Sequence, residues 1–166
     1  MKQSIAIYPG TFDPFTKGHE DLVLRAARMW PKVIVAVAAA YHKKTLFTLE
    51  ERLEITKNYF KNIPEVEVKG FDGLLRDFVR EEKVNVVVRG LRAVSDFEYE
   101  FQLAAMNQHL MPEVETVFLT PCTKFHFLSS TLIREIGLLE GEIEQFVSED
   151  TARRLAEKKG ICKLRK

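Results

Sequence analysis

The sequence predicts a single α/β domain with a doubly wound sheet of five parallel strands and helices on both faces. Three observations support this fold class. Short apolar runs alternate with longer segments of helical period along the whole chain. Several runs are rich in Val and Ile at consecutive positions, which is typical of strands covered on both faces of a parallel sheet. The length of 166 residues suits one compact domain, and we find no linker, repeat or low-complexity tract between residues 1 and 166.

The chain opens with a β–α–β pattern. The first strand is predicted over residues 5–8, a compact apolar run that Pro9 and Gly10 terminate. After a loop, the apolar positions of residues 19–30 recur at the i, i+3, i+4 spacing of one helical face. The second strand is predicted over residues 33–38, because every position there is apolar.

The same alternation continues to the end of the sequence. Thr48 and Glu51 have the spacing of a capping box, which predicts a helix from this point to about residue 60. In a fold of this kind, ligands bind beyond the carboxyl ends of the strands, near the point where the strand order reverses. The remaining predicted elements are a strand over 66–68, a helix across 74–79, a strand over 84–88, a helix across 97–105 stopped by Pro112, a strand over 116–119, a helix entered through 129–131 and ended at Gly141, and a helix capped by Ser148 and ended at Gly160.

Composition excludes several classes of protein. The net charge is +1 with acids and bases intermixed, so no nucleic-acid partner is predicted. The most apolar stretch, residues 33–41, is about half the length needed to cross a bilayer, and residues 1–4 begin no leader, so we predict a cytoplasmic protein without membrane contact. Cys122 and Cys162 lack the spacing of a zinc site or a disulfide framework, which indicates two reduced thiols.

The loop of residues 8–19, YPGTFDPFTKGH, is the first candidate for chemistry. It lies between a strand and a helix amino terminus, where free N–H groups and the helix dipole favour an anion. The dipole disfavours a protonated His19, whereas a bound phosphate favours a charged or hydrogen-bond-donating imidazole. The alternative is that His19 is a buried residue of the helix, held by a neighbouring carbonyl.

Two motifs resemble those of the nucleotidyltransferase superfamily, which shares a Rossmann-like fold with class I aminoacyl-tRNA synthetases. Residues 10–19 are similar to its signature loop in the threonine-bearing variant, and residues 127–134, FLSSTLIR, to its serine-rich turn. The segments 89–100, RGLRAVSDFEYE, and 107–112, NQHLMP, narrow the resemblance to the phosphopantetheine adenylyltransferases of bacteria. The similarity covers nearly the whole chain. It implies transfer of the adenylyl group of ATP to 4'-phosphopantetheine, giving dephospho-coenzyme A and pyrophosphate in coenzyme A biosynthesis.

The resemblance also implies a set of site residues. Four residues match catalytic positions, with His19 as the donor that stabilises the α-phosphate in the transition state: Thr11, His19, Lys43 and Arg92. Four match positions facing the phosphopantetheine arm, with Lys43 near its phosphate: Thr11, Lys43, Leu75 and Arg89. The positions that contact ATP in the family are matched by Thr11, Phe12, His19, Gly90, Leu91, Arg92, Glu100, Phe125, His126, Phe127, Leu128, Ser129, Ser130 and Thr131.

The same resemblance implies further partners. Relatives assemble as homohexamers and respond to coenzyme A as a feedback inhibitor. Mg²⁺ is expected on the ATP phosphates, and no protein metal ligand is assigned because the sequence has no clustered carboxylate cage. The sequence departs from the family at His126, where relatives often have a small hydroxyl residue, and at Lys124 and Phe125. We expect these changes to alter affinity and not to abolish activity.

The chemistry accounts for the residue types. The attacking phosphate oxygen is already anionic near neutral pH, so no general base is required. The reaction brings two polyanions together in line and neutralises charge as pyrophosphate leaves, which calls for cations and oriented donors. His19, Lys43, Arg89, Arg92 and hydroxyl groups supply that set.

Each candidate residue also has a structural interpretation. Lys43 fits an ordinary solvated turn, and Arg89 and Arg92 fit surface arginines paired with acidic residues of the following helix. The serines at 129–130 fit a helix cap, which is compatible with a phosphate site. The aromatic residues of segment 97–101 are interpreted as core or subunit contacts and not as adenine-stacking groups.

Three other functions fit parts of the sequence. Another adenylyl- or cytidylyltransferase of the superfamily would share the signature loop and the serine-rich turn, but the RGLR segment at 89–92 argues against it. A non-catalytic sensor of ATP or coenzyme A would keep the fold, although the combination of His19, Lys43 and Arg92 argues against this function. A nucleic-acid-binding module is disfavoured by the balanced charge.

Overall fold

A five-stranded parallel sheet forms the centre of the molecule. The computed structural model describes residues 4–163 and every side chain among them except those at 95 and 160–163, so residues 1–3 and the Cys162 thiol considered above lie outside the described part. The elements are β1 (Ile5–Gly10), α1 (Lys17–Met29), β2 (Lys32–Ala38), α2 (Leu49–Phe60), β3 (Val66–Phe71), α3 (Leu75–Glu81), β4 (Val86–Gly90), α4 (Val94–Leu110), β5 (Glu115–Leu119), a 3₁₀ turn (Thr123–Phe125), α5 (Ser130–Leu138) and α6 (Glu149–Lys163).

The strand order is β3–β2–β1–β4–β5, and all neighbouring strands are parallel. β1 pairs with β2 along its length, from Ile5 beside Lys32 to Gly10 beside Val37, and its other edge pairs with β4. The chain therefore reverses its direction of winding between β1 and β4, and the carboxyl ends of these two strands form the switch point. The predicted doubly wound sheet is confirmed.

Helices cover both faces of the sheet. Successive side chains of a strand point to opposite faces, so Ile7 and Tyr8 enter different hydrophobic clusters. The larger cluster joins the sheet to α1, α2, α5 and α6, and the smaller one joins it to α3 and the end of α4. Fully buried members of the larger cluster include Val23, Val33, Val35, Ile55, Ile133 and Leu155.

Local capping signals are confirmed. The Thr48 hydroxyl accepts from the Glu51 amide at 3.2 Å, and the Glu51 carboxylate accepts from the Thr48 amide at 2.8 Å, which completes the predicted capping box. At the start of α6, the Ser148 hydroxyl accepts from the Thr151 amide at 3.2 Å. These bonds satisfy amides that have no partner within the helix.

Several predicted boundaries are wrong. β4 starts two residues later than predicted and includes Arg89 and Gly90, because the amide of Val84 is still bonded to Val79 in the preceding turn. α5 ends at Leu138 and not at Gly141, since Glu140 adopts the left-handed conformation at φ 67°. α6 runs through Gly160 to Lys163. A glycine costs a helix only about 1 kcal/mol and ends it only where the backbone turns left-handed.

The apolar face of α4 is not part of the core. Phe97 and Phe101 stack on each other with ring centroids 5.8 Å apart, and both rings are more than half exposed. Val94 and Tyr99 are also exposed. Of the two interpretations of this segment, packing into the core of the chain is wrong, and the subunit contact is still a prediction.

No helix in the described range 4–163 has both the length and the apolar character needed to cross a membrane.

Candidate active site

A cleft of about 270 Å³ opens at the switch point between β1 and β4. The loop after β1, the start of α1, the end of β4 and the segment between β5 and α5 form its walls, together with Glu100 from α4. The predicted site residues that line this cleft are Thr11, Phe12, His19, Arg89, Gly90, Arg92, Glu100, Phe125, Leu128, Ser129 and Ser130.

Other predicted site residues do not line the cleft. Lys43 is exposed on the loop between β2 and α2, where its amide donates to the Ala40 carbonyl at 2.8 Å. Leu75 begins α3 and packs against the smaller hydrophobic cluster. The imidazole of His19 and the guanidinium of Arg92 thus share the cleft, whereas the Lys43 amine is not among its walls. The remaining residues outside the lining are Leu91, His126, Phe127 and Thr131.

His19 occupies the third position of α1 and completes an unusual capping box. Its Nδ1 accepts a hydrogen bond from the backbone N–H of Thr16 at 3.0 Å, and the Thr16 hydroxyl accepts from the His19 amide at 3.4 Å. Since Nδ1 is the acceptor, the neutral ring carries its proton on Nε2. The alternative, in which a neighbouring carbonyl holds the His19 ring, is therefore wrong.

The surroundings of His19 oppose its protonation. Burial, and secondarily the positive charge of Arg92, lowers the pKa of the imidazole from 6.5 to about 3. The rings of Phe12 and Phe15 each lie 5.1 Å from the imidazole, centroid to centroid. At neutral pH, His19 is therefore an uncharged group with one N–H available for donation.

The conformation of the loop after β1 is tightly determined. Phe12 has φ 50°, in the left-handed region that non-glycine residues rarely adopt. Its ring would lie 2.7 Å from a Cβ placed on Gly10, so a side chain at position 10 would displace the ring. Glycine at this position lets Phe12 pack between the strand end and His19.

Arg89 and Glu100 form a bidentate ion pair inside the cleft. The Arg89 Nε and Nη2 atoms each donate to a Glu100 carboxylate oxygen at 2.8 Å, and Nη1 donates to the Pro9 carbonyl at 3.0 Å. Burial acts to lower the pKa of Arg89, but the hydrogen bonds and charge of Glu100 hold it above its ordinary value. Arg89 is thus paired with an acidic residue of the following helix, as its structural interpretation predicts, and both residues still line the cleft.

Arg92 connects the start of α4 to the serine-rich turn. Its Nε donates to the Asp96 carboxylate at 3.0 Å, and its Nη1 donates to the Leu128 carbonyl at 2.6 Å. This second arginine is less buried than Arg89. It lies on the solvent side of the cleft, where a charged ligand would enter.

The serine-rich turn places a second helix amino terminus at the cleft. Ser129 caps α5 by accepting from the Leu132 amide at 3.1 Å, as predicted. The Ser130 hydroxyl donates to the Pro14 carbonyl at 2.8 Å, which joins this turn to the loop after β1. The amino termini of α1 and α5 therefore border the same cleft, and both favour an anionic ligand.

A hydrogen bond from His126 joins the two ends of the segment that precedes the serine-rich turn. The His126 Nε2 donates to the Pro121 carbonyl at 2.7 Å, while the Cys122 amide donates to the Asp21 carboxylate at 3.0 Å. Phe125 and Leu128 reach the cleft from this segment, but His126 faces away from the lining. Cys122 is a free thiol.

Sequence reasoning missed a buried network that holds the loops of the cleft. Arg52 is 1% exposed and donates to the backbone carbonyls of four residues, Thr11, Ala38, Ala39 and Phe47, at 2.7–3.2 Å. The signal was available, because residues 52, 55, 56 and 60 follow one helical face, which makes the arginine a core-facing residue.

Asp13 and Arg134 complete this network. The buried Asp13 carboxylate accepts from the amides of Leu46 and Phe47 at 2.8 and 2.9 Å. The Arg134 guanidinium donates to the carbonyl and the carboxylate of Asp13. The loop after β1, the loop before α2 and helix α5 are thereby joined to one another.

The described residues contain no group of three or more His, Cys, Asp or Glu side chains arranged to hold a metal ion. Among the described residues, one carboxylate lines the cleft, that of Glu100, and Arg89 donates to both of its oxygens. The charged side chains of the lining thus suit a ligand that brings negative charge of its own.

Comparisons with known proteins identify the family. Residues 7–136 match the family described as cytidylyltransferase-like. A phosphopantetheine adenylyltransferase of Aromatoleum aromaticum is 56% identical over 158 residues, which cover 95% of this chain and 97% of that protein. The chain belongs to the phosphopantetheine adenylyltransferase family. The protein of the same name from Acidovorax sp. strain JS42 is 55% identical over 160 residues, covering 96% of this chain and 97% of its own.

Solved structures show the same fold. The nicotinic acid mononucleotide adenylyltransferase of Plasmodium falciparum, in complex with NaAD, superposes with a TM-score of 0.71 at 14% identity over 93% of this chain and 95% of that one. A bifunctional NMN adenylyltransferase/ADP ribose pyrophosphatase of Francisella tularensis, complexed with AMP and a Mn ion, gives 0.69 at 17% identity, over 93% of this chain and 48% of that one. The predicted fold, family and nucleotidyltransferase class of this phosphopantetheine adenylyltransferase family member are confirmed.

Proposed function

We propose that this chain transfers the adenylyl group of ATP to 4'-phosphopantetheine, giving dephospho-coenzyme A and pyrophosphate. The observation that carries the proposal is the single cleft that joins a neutral Nε2–H of His19, two arginines and two helix amino termini. Relatives at 54–56% identity, named phosphopantetheine adenylyltransferases, support this acceptor. The proposed step belongs to coenzyme A biosynthesis.

The reaction needs no proton transfer to an enzyme base. An anionic phosphate oxygen of phosphopantetheine attacks the α-phosphorus of ATP, and the bond from that phosphorus to the bridging oxygen of the β-phosphate breaks. Pyrophosphate leaves with the electron pair. The His19 Nε2–H is proposed to donate to an α-phosphate oxygen as negative charge concentrates there, which stabilises the transition state more than the ground state.

The remaining predicted site residues are assigned to the two substrates. Arg92, Thr11 and the two helix amino termini are proposed to hold the triphosphate. Lys43 is proposed to bind the acceptor phosphate and Leu75 the pantetheine arm. The carboxyl end of β2 lies beside that of β1, so the loop that carries Lys43 leaves the same edge of the sheet as the cleft.

The nucleotide set is proposed to comprise Phe12, Gly90, Leu91, Glu100 and residues 125–131. The members of this set that line the cleft lie along its inner wall and at the serine-rich turn. Arg89 is proposed to face phosphopantetheine while its guanidinium is held by Glu100.

Mg²⁺ is proposed to arrive on the ATP phosphates, where it neutralises charge on the leaving pyrophosphate. The side chains of the cleft fit this role, because its one carboxylate is engaged by Arg89 and the ion would be held by phosphate and water. We also propose that the protein is cytoplasmic, that it assembles as a homohexamer and that coenzyme A inhibits it. The balanced charge supports the absence of nucleic-acid and membrane partners.

A direct assay tests the acceptor. Purified protein is incubated with ATP, Mg²⁺ and one acceptor at a time, and pyrophosphate release is measured. We expect release with phosphopantetheine and only background release with nicotinamide mononucleotide, glycerol 3-phosphate or flavin mononucleotide. Equal release with nicotinamide mononucleotide would overturn the acceptor assignment. No release with any acceptor, together with retained ATP binding, would identify a nucleotide sensor instead.

A further inference from the structure

Tyr8 has a hydroxyl at the wall of the cleft that the proposed reaction does not use. The residue lies on β1, two positions before the strand ends at Gly10, and its side chain contributes to the wall of the cleft. Tyr8 is only 6% exposed. Its hydroxyl has no hydrogen-bond partner among the residues that the structure describes. The described residues bury one side-chain polar atom without a partner, Nδ2 of Asn107, so the Tyr8 hydroxyl is open to the cleft and not sealed in the core.

The position of the hydroxyl is set by its neighbours. A Cβ placed on Gly90 would lie 3.8 Å from the Tyr8 oxygen, so the hydroxyl reaches across from β1 to the end of β4. The phenol ring lies 6.3 Å from the imidazole of His19, centroid to centroid. The hydroxyl therefore lies at the inner wall of the cleft, between the His19 ring and the backbone that leads into Arg92.

The chemistry of this position keeps the hydroxyl protonated. Burial raises the pKa of Tyr8 above its ordinary value, although Arg89 and Arg92 act in the opposite direction. A neutral phenol offers one O–H donor and lone pairs as acceptors. Phenylalanine would pack the strand against Phe12 equally well, whereas tyrosine also brings a hydrogen-bond donor to the wall of the cleft.

We propose that Tyr8 is a nucleotide-binding residue whose hydroxyl donates a hydrogen bond to an oxygen of the ribose or the phosphates of ATP bound in the cleft. This inference depends on the proposed function in one respect, which is that ATP is the nucleotide that the cleft binds. Tyr8 would bind and orient the nucleotide, and it takes no part in bond making or breaking.

A matched pair of tyrosines tests this role. Tyr59 is also largely buried, but its hydroxyl accepts from the Ser148 amide at 2.8 Å and donates to the Phe15 carbonyl at 3.4 Å, and it lies outside the lining of the cleft. The variants Tyr8→Phe and Tyr59→Phe each remove one oxygen. Calorimetric titration with ATP in the absence of acceptor then measures nucleotide affinity, and thermal unfolding measures stability.

We expect Tyr8→Phe to weaken ATP binding by about threefold to tenfold, the effect of one neutral hydrogen bond, with an unchanged unfolding midpoint. We expect Tyr59→Phe to keep the affinity and to lower the midpoint by about 2–4 °C. Wild-type ATP affinity in Tyr8→Phe would overturn the proposal. So would a midpoint lowered as far as that of Tyr59→Phe, because the hydroxyl would then have a structural partner.

Nucleotide analogues identify the oxygen that Tyr8 contacts. If the loss in Tyr8→Phe disappears with 2'-deoxy-ATP or 3'-deoxy-ATP, the partner is that ribose hydroxyl, and an equal loss with all three nucleotides assigns a phosphate oxygen. Either result supports nucleotide binding by Tyr8. Failure of the wild-type protein to adenylylate phosphopantetheine would refute the proposed function without affecting this comparison of ATP affinities.

Discussion

The imidazole of His19 is fixed in one tautomer by the residue that caps its own helix. The Thr16 amide donates to Nδ1, so the other ring nitrogen carries the proton, and no carboxylate of the described residues holds the ring. Burial keeps the ring neutral. A preorganised neutral donor is suited to a developing charge, because it needs no reorientation as the reaction proceeds.

Replacement of His19 by Ala tests this role. We expect turnover to fall by about 10²–10³-fold while ATP affinity changes little, because the donor acts chiefly in the transition state. Steady-state kinetics and calorimetric titration measure the two effects. His19→Gln is the matched variant, since glutamine suits the third position of a capping box and retains an N–H donor. Losses of similar size in binding and rate would make His19 a ground-state anchor.

The lowered pKa of His19 also predicts how stability depends on pH. Below about pH 6.5 the unfolded chain binds a proton at position 19 that the folded chain does not bind until about pH 3. Stability is therefore lost as the pH falls through this window, by at most about 1.4 kcal/mol per pH unit from this group. Chemical denaturation at pH 7 and pH 5 should show a smaller difference in His19→Gln than in the wild type. Identical differences would contradict a neutral, buried imidazole.

At the scale of elements, Arg52 of α2 is the centre of the network behind the cleft. One guanidinium satisfies carbonyls at the end of β2, in the loop after β1 and in the loop before α2. Burial lowers the pKa of Arg52, with Asp13 the largest opposing influence. The geometry of these loops thus depends on a residue that does not line the cleft.

Replacement of Arg52 by Met would leave four carbonyls without their donors. We expect a loss of about 3 kcal/mol or more in the free energy of unfolding, because each buried unpaired carbonyl costs about 1–3 kcal/mol. Urea denaturation measures it. Lys57→Met is the control on the exposed side of the same helix, with an expected change within about 0.5 kcal/mol. A loss no larger than that of the control would show that the carbonyls find other partners.

The elements differ in how far the sequence determines them. The capping box of Thr48 and Glu51 was predictable because both partners are three residues apart. Gly160 does not end α6, because a helix ends where the backbone turns left-handed and not simply at a glycine. After α5, the residue in the left-handed conformation is Glu140 and not a glycine.

The same distinction holds for the site. His19, Arg89 and the serine-rich turn were predictable because they lie at strand ends or begin helices, and the topology brings such segments together. The contacts of Arg52 with Thr11 and Ala38 were not predictable, since they join segments far apart in the sequence. Lys43 was assigned by resemblance alone, and its side chain is not among the walls of the cleft.

At the scale of the whole molecule, α4 carries an apolar surface that the chain itself does not cover. Phe97 and Phe101 are each more than half exposed, and Val94, one turn before Phe97, is almost fully exposed. Large apolar side chains exposed together on one helix face are typical of an interface with another protein. This surface is suited to the subunit contacts of the proposed homohexamer.

A charge on this surface should weaken assembly. Phe97 and Met29 are equally exposed, at 51% and 52%, but Met29 lies on α1. We expect Phe97→Glu to shift the protein to smaller species in sedimentation velocity, because a carboxylate would be desolvated at the interface. Met29→Glu should sediment like the wild type. A wild type that sediments as a monomer, or equal effects of the two variants, would contradict the assignment of this surface.

The bonds from Ser130 to Pro14 and from Arg134 to Asp13 join residues 116 and 121 positions apart. During synthesis on the ribosome, the loop after β1 emerges long before the helix α5 that is bonded to it. Nascent chains that stop before residue 134 would therefore have the sheet's first strands but a loosely held loop, with little ability to retain ATP. Nucleotide capture by this protein would be a late event in its biogenesis, and one that reports a correctly completed chain.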